Sequence, residues 1–183
     1  MKARLLVTLL LLMTCLAVPA LAQDAGDAGG AGGYLSDFLK DFEGASDKLL
    51  QLAEAMSQEQ YGYAASEEVR NFGQVLVHVA GANFFLSRAL GVEPPAELSQ
   101  NMEEQVTSKD EIIALLKKSQ DHVRQAVEKT PSAKLDDEIE IFGGKRTVRG
   151  VFMIIAGHSH EHLGQGIAYA RGAGVAPPWS QGG

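Results

Sequence analysis

Four stretches of this chain carry large apolar residues three and four positions apart, and that spacing restricts its fold more than any single residue does. The first begins at Tyr34 and runs through Leu35, Phe38, Leu39, Phe42, Leu49, Leu52 and Ala53 to Met56. Gly44 weakens its middle without ending it. Ser66-Glu67-Glu68 supplies an N-cap and first-turn acids for a second, which carries Val69, Phe72, Val75, Leu76, Val79, Phe85, Leu86 and Leu90 and closes near Gly91. Ser108, with Glu111 three residues on, is a capping box for a third through Ile112, Leu116, Val123 and Val127, closed by Pro131. Thr147 caps a fourth from Val148 to about Arg171, and Gly172, Gly174, Pro177 and Pro178 prevent continuation.

Glu138-Ile139-Glu140-Ile141-Phe142 alternates in period two and runs into Gly143-Gly144, a hairpin-turn dipeptide, so a short β-ribbon fits over 138–148. The expected fold is therefore all-α, a four-helix bundle over residues 34–173 with a tail over 174–183. Gly150, Gly157 and Gly164 recur every seven residues on the fourth helix. Each costs ~1 kcal/mol relative to alanine, so the stripe predicts a close approach of another helix.

Residues 1–22 have the parts of a secretory signal: Lys2 and Arg4, an apolar run from Leu5 to Val18, then Ala20-Leu21-Ala22. The run is shorter than the ~20 residues of a bilayer-spanning helix. The expectation is an exported protein, periplasmic or extracellular, with no stable membrane insertion after cleavage behind Ala22. Met13-Thr14 ahead of Cys15 lacks the small residue of a lipoprotein signal. Residues 23–33, built of Gly, Ala and Asp after Gln23, cannot bury enough surface to offset their ordering entropy and are read as a flexible linker.

Cys15 is the one cysteine in the chain, so the mature protein has neither disulfide nor thiolate ligand, and any metal must be held by histidine or carboxylate. Loss of Lys2 and Arg4 moves the net charge from −7 to −9. An acidic chain without a clustered basic face is not expected to bind nucleic acid.

Three of the five histidines lie within Gly157-His158-Ser159-His160-Glu161-His162. On a helix, His158 and His162 stand one above the other and can close on one cation, whereas His160 points roughly 200° away. The alternative is a strand, which would put all three on one face, but the flanking Val151, Ile154, Ile155, Leu163 and Ile167 keep helical spacing. His78, among Val75, Leu76, Val77 and Val79, faces inward on the second helix. Alone it reads as an ordinary core histidine; with the pair it completes a three-imidazole site that leaves positions free for water or substrate. His122 flanks the apolar stripe of the third helix and reads as a surface histidine.

Other bundle chemistries fail on spacing. The residues three before each histidine are Val75, Ser119, Ile155, Gly157 and Ser159, so the Glu-x-x-His of dinuclear carboxylate sites is absent. The His-Glu-x-x-His pattern of zincins is absent too, because His160-Glu161 is followed by His162-Leu163-Gly164.

Glu67-Glu68-Val69-Arg70-Asn71-Phe72-Gly73-Gln74-Val75-Leu76-Val77-His78-Val79 and His158-Ser159-His160-Glu161-His162-Leu163-Gly164-Gln165, followed by Tyr169-Ala170-Arg171, Gly174 and Pro177-Pro178, resemble the DinB-like (damage-inducible B) family over roughly residues 34–180. The resemblance implies a four-helix bundle and a divalent metal, often zinc or nickel, on His78, His158 and His162. It also implies an activity, since characterised relatives include transferases that use low-molecular-weight thiols. Those thiols are mainly cytosolic, so export leaves a metal-dependent hydrolase beside the transferase, with Glu161 as its candidate base. Three further readings stay open: metal storage or sensing without catalysis, dimerisation through apolar helix faces, and a bis-histidine haem. Asn83, Gln165 and Tyr169 are candidates for the layer behind the histidines or for the pocket rim, and Arg171 and Trp179 for fastening the tail.

Overall fold

A computed structural model describes residues 31–98 and 101–180, so the signal-like segment and most of the expected linker lie outside the described residues. The long helices are α1 (Ala31–Ala55), α2 (Phe72–Ala89), α4 (Lys109–Lys129) and α5 (Val148–Gly172), with a short α3 (Met102–Gln105) between α2 and α4. Two strands, β1 (Glu138–Ile141) and β2 (Gly144–Thr147), form an antiparallel ribbon ahead of α5. The all-α bundle with its small ribbon is thus the fold expected from periodicity.

Each long helix packs on two neighbours, in the ring order α1, α5, α2, α4. The helices α1 and α2, consecutive in the chain, lie across a diagonal, as do α4 and α5, and the connections 56–71 and 130–147 are long enough to make those crossings. One half of the core is built by Leu49, Leu52, Met56, Phe72, Leu76 and Leu116. The other half gathers Phe38, Phe42, Leu86, Val123, Phe152 and Ile155. Each such side chain contributes about 1.5–3 kcal/mol when fully buried, which is what fixes the roll of every helix about its axis. The C-terminal carbonyls of α1 are capped from α4: the Lys109 ammonium donates to Glu54 O at 2.8 Å and Met56 O at 2.7 Å.

Three boundaries differ from the sequence reading. Helix α1 is already formed at Ala31, three residues ahead of Tyr34, in a stretch read from the sequence as linker. Helix α2 starts at Phe72 behind Asn71, not at Ser66. Asn71 Oδ1 accepts from Gln74 N at 2.9 Å while Gln74 Oε1 accepts from Asn71 N at 3.0 Å, a reciprocal box that outcompetes the earlier serine. The hairpin turn is Phe142-Gly143, one residue before the expected pair, since Ile141 pairs with Gly144. Both turn residues have positive φ, 54° and 71°, the type I′ arrangement that matches strand twist.

The glycine stripe is a further correction. A Cβ at Gly157 or Gly164 would meet nothing within 4 Å, and at Gly150 it would meet Thr147 Oγ1 of the helix's own cap at 3.2 Å. No helix approaches there. Close packing instead falls at Gly166, against Leu49, Leu52 and Phe72, and at Gly172, where a Cβ would collide with the Tyr63 hydroxyl. Gly164 is exposed in mid-helix, so Gly164→Ala should raise the stability of the folded chain by about 1 kcal/mol, read from the denaturant midpoint at unchanged m-value.

Candidate metal centre

Burial of Phe72, Val75, Leu76 and Val79 turns α2 so that His78 faces the α2–α5 seam, half-buried. Burial of Val151, Ile155, Ser159 and Leu163 does the same for His158 and His162 on α5. Thr147 Oγ1 accepts from Gly150 N at 3.0 Å and sets the start from which that rotation is counted.

The three rings meet by their Nε2 atoms. His158 Nε2 is 3.2 Å from that of His78 and 3.1 Å from that of His162. One ligand nitrogen from each of the three fits within 4.8 Å of the others. Imidazoles on one ion at ~2.0–2.1 Å stand about 2.9–3.4 Å apart for octahedral to tetrahedral angles, so the spacing suits a single ion. A bis-histidine haem does not fit, because imidazoles on opposite sides of an iron stand about 6 Å apart between ring centres with a flat ring between them, whereas the His78 ring lies 5.1 Å from that of His158 and 5.0 Å from that of His162.

The opposite edges of two rings are tied down. His162 Nδ1 donates to Gln165 Oε1 at 2.8 Å, and Gln165 Nε2 donates onward to the Tyr169 hydroxyl at 3.2 Å. His78 Nδ1 donates to Glu103 Oε1 at 3.2 Å. With Nδ1 protonated, each Nε2 carries a lone pair aimed at the cluster. His158 Nε2 can donate to only one of those lone pairs, and its own Nδ1 is buried without a partner. A cation satisfies all three lone pairs together, which no proton arrangement does. The donor set therefore fits a metal ion.

Electrostatics point the same way. Burial first, then the neighbouring His162, His78 and Arg70, push His158 down to about 4. His78 is lowered by burial, Arg70 and His162, against the opposing pull of Glu103. Both imidazoles are neutral, and so able to ligate, at neutral pH. Burial alone would raise the Glu103 carboxyl, but hydrogen bonds and charges from Arg70 and His78 carry it below its usual value.

A cleft of about 370 Å³ lies against the cluster, lined by His78, His158 and Glu103 and walled by Phe85, Leu86, Met102, Phe142 and Ile154. Phe85 and Phe142, both exposed, pack 5.4 Å apart at its rim.

Gln165 and Tyr169 stand behind the ligands, as anticipated. Asn83 does not reach the rim: it donates to Ser119 Oγ on α4 at 3.1 Å inside the core. His160 is exposed beside Asp41 at 3.1 Å, pointing away from the pair. His122 is half-buried on Phe84, with ring nitrogens against Lys118 O and Glu93 O, away from the centre. The Trp179 ring lies under the Lys48 ammonium and holds the tail to α1, while Arg171 is exposed. The sequence reading missed Glu103, Arg70 and Phe142. Only Phe142 carried a signal, since it shares strand parity with the solvent-facing Glu138 and Glu140.

A four-helix bundle with three histidines converging across one seam defines a class of metal-site bundles. Residues 41–165 match the DinB superfamily, and the chain belongs to that family. A DinB-like protein from Bacillus cereus ATCC 10987 is 19% identical, with a TM-score of 0.69 over 78% of this chain and 95% of its own. A DinB-like protein from Bacillus subtilis is 21% identical, with a TM-score of 0.61 over 75% and 92%. These two show a shared fold. No curated protein sequence matches the chain.

Because His158 sits below the ~6.5 of an unfolded histidine, the unfolded ion-free chain takes up a proton first as pH falls. This contribution to stability is complete above about pH 6.5 and is lost as the pH approaches 4. Denaturant midpoints with a chelator present, taken near about pH 7.5 and about pH 4.5, should show the fall, and His158→Ala should show a smaller one.

Proposed function

We propose that this protein is an exported, metal-dependent enzyme in which His78, His158 and His162 hold a divalent ion, zinc or nickel, beside a cleft for a small, partly apolar substrate. The observation that carries this reading is the cleft itself: a purely structural ion is sealed by packing, whereas here two of the three histidines line an open space of about 370 Å³. A bound divalent ion would supply Lewis acidity, lowering the pKa of a thiol or water that reaches it.

Between the two chemistries, thiol transfer is better supported than hydrolysis. Hydrolysis needs a base for water, yet Glu103 is engaged by Arg70 and His78, and Glu161 is exposed and does not line the cleft. A thiol brings its own nucleophile. Its sulfur bonds to an electrophilic carbon, the leaving group departs with the electron pair, and the thiol proton passes to solvent. The walls of Phe85, Leu86, Met102, Phe142 and Ile154 suit an apolar electrophile. Export rests on the signal-like residues 1–22, and it requires a thiol present outside the cytoplasm.

Elemental analysis of the purified protein should find about one divalent ion per chain in the wild type and background levels in His158→Ala. Metal-loaded protein should then turn over thiol and electrophile pairs, with His158→Ala inactive. Stoichiometric metal together with inertness towards thiol–electrophile, ester and amide panels would remove the enzymatic reading.

A further inference from the structure

The partners behind the three histidines differ in how they are held. Gln165 is a neighbour of His162 on the same helix, and His158 Nδ1 has no partner. Glu103, behind His78, comes from α3, a four-residue helix with no fully buried side chain. Within that short helix and at its C-cap, Met102 and Val106 rest half-buried on the core and the Glu103 carboxylate grips the bundle. Its Oε2 accepts from Arg70 Nε at 2.7 Å and its Oε1 from His78 Nδ1 at 3.2 Å. The guanidinium, just ahead of the Asn71 cap of α2, keeps the carboxylate from turning to solvent.

We propose that Glu103 is a positioning residue of the metal centre, and that ion binding at the triad and docking of α3 on the bundle form one coupled equilibrium. The inference rests on the reading that the three histidines hold an ion. The carboxylate holds the Nδ1 proton of His78, which keeps the Nε2 lone pair available and fixes the ring plane. A cation at Nε2 draws electron density from the ring, makes Nδ1–H a better donor, and tightens its bond to the carboxylate. Linkage is reciprocal: whatever docked α3 adds to ion affinity, the ion returns to the docking of α3. Of the two residues that partner a ligand ring, Glu103 alone can leave without unfolding a long helix. Since Met102 and Glu103 also line the cleft, the same equilibrium sets the width of the substrate's entrance.

The test uses the full chain as wild type, Glu103→Gln, Glu103→Ala, Arg70→Met and, as a control on the exposed neighbour, Glu104→Ala. Zinc affinity is measured by competition with a chromophoric chelator, and amide hydrogen exchange of residues 101–107 is followed with and without zinc. The visible bands of the cobalt-loaded forms report the ligand field. Glu103→Ala should weaken zinc roughly 10- to 100-fold and shift the cobalt bands, Glu103→Gln should recover part of the loss because its amide oxygen still accepts from Nδ1, and Arg70→Met should fall between. Glu104→Ala should match the wild type, and zinc should slow exchange at 101–107 in the wild type but not in Glu103→Ala. Unchanged affinity in Glu103→Ala, or exchange at 101–107 indifferent to zinc, overturns the inference and leaves the functional reading standing. A wild type that takes up neither zinc nor cobalt overturns both.

Discussion

Three imidazole edges converging at the α2–α5 seam, with His158 Nε2 about 3 Å from each of the other two, are the constraint around which the rest of the molecule is arranged. Lone pairs brought that close are unfavourable unless something positive lies between them, and burial makes protonation a poor remedy, as the depressed His158 shows. The bundle supplies the force that holds them there. Packed phenylalanines and leucines on both halves of the core fix the two helices in roll and height, so the cost at the seam is met by burial elsewhere.

Much of this was legible in the chain because it follows from local periodicity. Helices α4 and α5 start where Ser108 and Thr147 announce them, and the i,i+4 pair with an inward His78 led directly to the converging rings. Gln165 and Tyr169 could be guessed because they lie one and two turns beyond the ligands on the same helix. What escaped depends on contacts between distant segments. Glu103 sits among polar residues that look like ordinary linker, and only folding brings it to His78 and Arg70.

The errors share a second cause, which is competition between signals of similar strength. Ser66 and Asn71 both resemble caps, and the reciprocal Gln74 bond decides between them. Gly143-Gly144 resembles the turn, but the register that turns Ile141 inward places Phe142 in it despite the positive φ. The heptad of glycines suggested an interface because a destabilising residue invites a reason; on this helix it has none from packing.

The ribbon ends at Thr147 and α5 begins at the next residue, with Val148 N bonded to Asp137 O at 3.0 Å and Arg149 N to Leu135 O at 2.8 Å. No spacer separates the aromatic tip from the rod that carries two of the ligands. A hinge needs residues free to change their dihedral angles, and this junction offers none. Phe142 is therefore tied to α5 through a paired ribbon with no hinge at its base, so that on this side the outline of the cleft is set by the same folding that seats the helix.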